Sequence, residues 1–135
     1  MKKLDIYRTD ASNMGDNTPN KQRFVVEIKN KRNKDTSLLA SLFSLEDDEG
    51  NRKENAYRKI NNKLLSKIDH VEAELPRKSA VGIELREVKK EQLYPTGKKI
   101  KSGKDIVRVK THIYNNSHHI RHSRRNRNLK KNYLR

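Results

Sequence analysis

The apolar pattern of this chain stops at Tyr114. From Asn115 the sequence reads NNSHHIRHSRRNRNLKKNYLR, where Ile120, Leu129 and Leu134 are the only aliphatic side chains. Three scattered aliphatic residues cannot offset the entropy of ordering such a segment. The sequence therefore predicts one folded domain over residues 1–115 and a basic, disordered tail over residues 116–135.

Charge follows the same division. Residues 98–135 hold 13 Lys and Arg against a single acid, Asp105, whereas residues 1–97 hold 20 basic and 16 acidic side chains. Of the net +16, then, +12 sits in the last 38 residues. A nearly neutral scaffold with one strongly cationic end points to a polyanion as partner, RNA or DNA before any other.

Other classes are excluded or disfavoured. The chain has no cysteine, which removes disulfides, thiolate metal sites and a Cys nucleophile. It has no apolar run of membrane-spanning length, and MKKLDIYRTD lacks a signal-peptide core, so a cytoplasmic protein with no membrane partner is expected. No glycine-rich nucleotide loop and no Ser-His-Asp order is visible. The acids Glu46, Asp47, Asp48 and Glu49 lack the spacing of a calcium loop and read as a solvated turn. His112, His118, His119 and His122 include a four-residue spacing suited to zinc, but neighbouring cations would repel a metal and no carboxylate lies close in sequence. No metal or cofactor is expected.

Periodicity predicts the elements. Lys2 to Arg8 forms a short strand with Leu4 and Ile6 inward, and Gln22 to Lys29 a second strand on which Phe24, Val26 and Ile28 alternate with Val25, Glu27 and Lys29. Asp35 caps a helix carrying Leu38, Leu39, Leu42, Phe43 and Leu45. Asn51 and Glu54 resemble a capping box before a second helix whose stripe is Tyr57, Ile60, Leu64, Ile68 and Val71. Pro76 ends it. Ser79 to Val88 is a strand, residues 89–103 form a long Lys-rich connection, and Lys104 to Tyr114 alternates as a last strand with Val107, Val109, Thr111 and Ile113 inward. The expected fold is α+β: a small four-stranded, mostly antiparallel sheet packed on one or two helices.

Arg52, Lys59 and Lys63 flank the stripe of the second helix, read either as a solvated face or as a rim of phosphate contacts beside the sheet; the main candidate contacts with nucleic acid fall in three groups. Lys98, Lys99, Lys101 and Lys104 belong to the long connection. Arg108, Lys110, His112 and Tyr114 share the outer face of the last strand, where cations hold phosphates and a tyrosine stacks on a base. Arg121, Arg124, Arg125, Arg127, Lys130, Lys131 and Arg135 make up the tail, where the planar guanidinium fork suits phosphate or guanine. The plainer readings are a solvent-facing strand and a localisation signal. The Leu38–Leu45 helix is a candidate surface for a protein partner.

Metal-free RNA cleavage needs a base, cations on the phosphate and an acid, and Arg108, Lys110, His112 and Tyr114 contain those types. In this the last third of the chain resembles RelE-type ribosome-dependent mRNA-cleaving toxins, which are small, basic and sheet-based. Those toxins place helices before the sheet, while this chain opens with strands. The preferred expectation is a non-enzymatic module bound to nucleic acid within a ribonucleoprotein. It would be either ribosome-associated or a phage-type inhibitor of an RNA-loaded nuclease, with the toxin as the alternative.

Overall fold

The protein was analysed as a computed structural model, which describes residues 2–30 and 34–116. The predicted tail contacts Arg121, Arg124, Arg125, Arg127, Lys130, Lys131 and Arg135 lie outside the described residues.

The architecture is α+β, with a six-stranded rather than a four-stranded sheet. The strands are β1 (Leu4–Asp10), β2 (Gln22–Asn30), β3 (Thr36–Ser44), β4 (Leu65–Lys67), β5 (Ser79–Lys89) and β6 (Tyr94–Ile100). They lie in the order β4-β5-β3-β2-β1-β6, and every neighbouring pair is antiparallel. Helix α1 spans Glu54–Asn61 and helix α2 spans Gly103–Asn116.

Strands β1, β2 and β5 form where their alternation predicts them. Leu4, Ile6, Val26, Ile28, Val81, Ile83 and Leu85 are all buried in one main core. Three further strands fall elsewhere: β3 where a first helix was expected, β4 inside the expected second helix, and β6 in the expected connection. The segment expected as a Leu38–Leu45 helix is strand β3, at the centre of the sheet, with residues 37–42 buried. Apolar side chains on both of its faces are covered, so its sequence runs apolar without a break, a pattern shared by buried strands and buried helices. Leu38, Ala40 and Leu42 enter the main core, while Leu39 joins Val25 and Val88 on the opposite face. No helix stands there to receive a partner. The connection expected over residues 89–103 contains β6, an edge strand whose Pro95 and Gly97 are residues that edges tolerate.

Lys104 to Tyr114 is not a strand but most of α2. Ile106, Val109 and Ile113 recur at helical spacing and are buried in the main core. Ser102 starts the helix: its Oγ accepts the backbone N–H of Asp105 at 3.3 Å, and its carbonyl accepts that of Ile106 at 2.9 Å. The Asp105 carboxylate is buried and accepts the backbone N–H of Asp69 at 2.9 Å, tying α2 to the segment after β4.

The predicted second helix stops early. After Asn61 the chain turns through Lys63 at φ +64°. Lys63 donates its N–H to the Ile60 carbonyl and Leu64 donates to the Lys59 carbonyl. That pair of bonds is a Schellman end, with lysine where glycine is usual. Leu64 therefore leads into β4, Ile68 reaches the main core, and Val71 is left 72% exposed. Asn51 donates its N–H to the Asp47 carboxylate instead of capping a helix.

Helix α2 covers the main-core face of the sheet. On the other face α1 packs Ala56, Tyr57 and Ile60 against Leu45, Leu65 and Ala80. Residues 11–14 cover part of the rest of that face, where Met14 packs against Val25, Leu39 and Val88. Among the described residues no helix is long and apolar enough to cross a membrane.

Candidate nucleic-acid interface

A helix distributes side chains differently from a strand, and this separates the predicted outer-face set. Arg108 and His112 are four apart, as are Lys110 and Tyr114. The pairs are offset by two residues, which puts them on opposite flanks of α2. The four groups that would have to converge for RNA cleavage are thus not gathered on one face.

Each predicted contact in the described chain has a definite place. Lys104 and Arg108 lie one turn apart on the exposed side of α2 with Val107 and Thr111. Arg108 also approaches the Lys67 carbonyl, at 3.5 Å. Tyr114 is exposed near the helix end. Lys110 rims a shallow depression of about 180 Å³ with Lys2, Lys3 and Lys29. Lys98 and Lys99 lie on β6, where Lys99 Nζ is 3.4 Å from the Asp5 carboxylate, and Lys101 Nζ is 3.9 Å from that of Glu74. His112 points its Nε2 into the protein, where no described group bonds to it. Burial holds its pKa below the usual value, and the charges of Lys63 and Arg108 add to that.

A second cationic region lies on the other face of the sheet, and of its cations the sequence reading names only Lys59 as a phosphate contact. Its centre is Phe43 on β3. Continuing the register Val25↔Ser41 by two residues sets Arg23 opposite Phe43. The Arg23 guanidinium lies 4.8 Å from the ring centroid, and Lys59 of α1 reaches within 5.8 Å. Gly82 on β5 makes room for the ring: a Cβ there would come within 2.9 Å of Phe43 Cε2. Gly15, at φ +83°, plays a similar part for Arg86, since a Cβ at that position would sit 2.7 Å from Nη2.

These residues line a cavity of about 490 Å³ floored by Ser41, Phe43 and Gly82. A neighbouring depression of about 720 Å³ shares Arg23, Phe43 and Lys59 and continues past Lys21 and Lys53 to Phe24 and Arg77. Phe24, Leu42 and Pro76 then enclose an apolar niche of about 260 Å³ with Arg77 at its rim. The first two spaces share Arg23, Phe43 and Lys59, and the last two share Phe24, Leu42 and Arg77, so the lining runs from the α1 face round the ends of β2 and β3 to the main-core side.

Carboxylates moderate its charge. Asp16 lies 2.9 Å from Arg23 and 3.3 Å from Lys21, and its pKa is held far below the usual carboxylate range, first by hydrogen bonds from Thr18 and then by Arg23. Glu84 pairs with Arg86 at 2.8 Å, and Asp48 with Arg77 at 2.8 Å. No ion pair among the described residues engages Lys53 or Lys59. The channel was hidden from sequence reasoning because it depends on β2 pairing with β3, and residues 38–45 read as a helix. Among the described residues no group of His, Asp and Glu could hold a metal ion. Comparison with protein-family models gives no match, and comparison with curated proteins gives none either.

Proposed function

We propose that this protein binds nucleic acid, within a ribonucleoprotein, through its cationic C-terminal third. One observation carries the reading: residues 98–135 bear +12 of the net +16. The geometry adds support, since α2 displays Lys104 and Arg108 outward and is described as far as Asn116, and segment 117–135 holds no acid. The mechanism is electrostatic attachment by counterion release, with the tail and the outer side of α2 supplying phosphate contacts.

The test is a salt titration of the full chain on RNA and DNA, preceded by nuclease digestion of the material that purifies with it. With about six phosphates neutralised, log affinity falls against log salt with a slope of roughly −4 to −5. Replacing Arg121, Arg124, Arg125 and Arg127 by Gln should reduce that slope by about three. Binding that ignores salt and survives these replacements unchanged would refute the proposal.

A further inference from the structure

We infer that the channel over Phe43 and Phe24 is a docking track for single-stranded nucleic acid. A base stacks on Phe24 in the niche beside Leu42 and Pro76, and the strand's phosphates run past Lys53 and Lys59. The inference rests on the nucleic-acid reading above and assigns a second contact surface, which starts at Phe43 on the α1 face and passes round the ends of β2 and β3 to Phe24 and Leu42 on the main-core side.

Three observations carry it. The first is shape: two adjoining open spaces of about 490 and 720 Å³ share Arg23, Phe43 and Lys59, and each alone is of the size that takes one small ligand, about 300–1,000 Å³. The second is the pairing of aromatic and cationic groups. Phe24 is 36% exposed although it lies on a strand with a well-filled core, and Arg77 stands at the mouth of its apolar niche. Nucleic-acid grooves for single strands combine such stacking surfaces with cations that follow the backbone. The third is the position of two exposed lysines. Lys53 and Lys59 line the same depression as Phe43 and Phe24 and make no ion pair among the described residues, while the nearby Asp47 and Glu54 carboxylates only moderate their charge. A paired base cannot enter the niche, which selects single strands over duplex.

Asp16 sets the affinity of the inner end. Its carboxylate holds Arg23, and a phosphate must compete for that guanidinium. Removing the carboxylate while keeping the side chain's shape releases Arg23 to the strand.

The experiment measures fluorescence anisotropy of a labelled short single strand, as RNA and as DNA, and of the corresponding duplex, on the full chain. Single strands of one or both sugars should bind more tightly than duplex. Phe24→Ser should weaken single-strand binding by about 5- to 150-fold, the range for one stacked base. The double variant Lys53→Gln with Lys59→Gln should flatten the salt slope by roughly 1.4. Asp16→Asn should strengthen binding. The two lysines are exposed and off the core, so their variant reads the channel even where Phe24→Ser disturbs folding. If single strands bind and neither the phenylalanine nor the lysine variant alters affinity, the channel assignment fails while the nucleic-acid reading stands. Equal affinity for duplex also overturns it. If no form of nucleic acid binds the full chain, both fall.

Discussion

Val109→Ala and Val107→Ala are nearly identical edits on neighbouring positions, and the fold gives them opposite outcomes. Val109 is fully buried on the inner face of α2, between Ile106 and Ile113, while Val107 is 48% exposed. Truncating Val109 removes two methyl groups from the core, each worth about 0.8 kcal/mol in transfer. A cavity that the sheet cannot collapse into adds to this, for a total loss of about 2–3 kcal/mol. Truncating Val107 removes half-wetted surface and gains the better helix propensity of alanine, about 0.5 kcal/mol, leaving a change near zero. In a domain held by about 5–15 kcal/mol, the first change is unmistakable. Urea unfolding of the full chain followed by far-UV circular dichroism should show the midpoint falling by about 1–2 M for Val109→Ala and scarcely moving for Val107→Ala. A strand over 104–114 would turn both valines inward. Comparable losses at the two sites would refute the helix, and with it the outward placement of Lys104 and Arg108.

Lys63→Gly should raise stability by about 1 kcal/mol in the same urea assay, since Lys63 sits at φ +64° and a Cβ is costly in the left-handed region. His112 should make stability depend on pH. Its folded pKa is lowered from 6.5, so the unfolded chain takes up the proton first. The His112 contribution is therefore intact above about pH 6.5 and is lost as pH falls through that value toward the folded pKa. Thermal melts between about pH 5 and pH 7 should show a shallower slope for His112→Gln than for the native chain, and equal slopes would count against the buried imidazole.

How much of this fold was legible depended on which faces were covered. β1, β2 and β5 keep a clean alternation over most of their length, and their inward residues were identified from it. β3 lost that alternation because Leu39 and Leu42 are buried on opposite faces, and five Leu and Phe within eight residues fit a helix equally well. In α2 two periods coexist. Val109 and Ile113 satisfy both: a strand adds Val107 to them and a helix adds Ile106, and Ile106 is the one buried. Ser102, three residues before Asp105, was the local signal for the helix. The cationic bias of the C-terminal third was plain from composition. The Phe43 channel was not, because Arg23, Lys59 and Gly82 come together only through strand pairing and the packing of α1.

The first strand is sandwiched between β2, which follows within a dozen or so residues, and β6, which comes some ninety later. During synthesis β1 can zip onto β2 early, but its other edge stays bare until residues 94–100 have been made. Helix α2, which roofs the main core, is later still. A nascent chain therefore carries an open ladder and an unroofed apolar sheet for most of its translation. Closure of such distant ends is slow and leaves intermediates prone to association. Production of this protein should accordingly be more sensitive to translation speed and to chaperone supply than its small size implies.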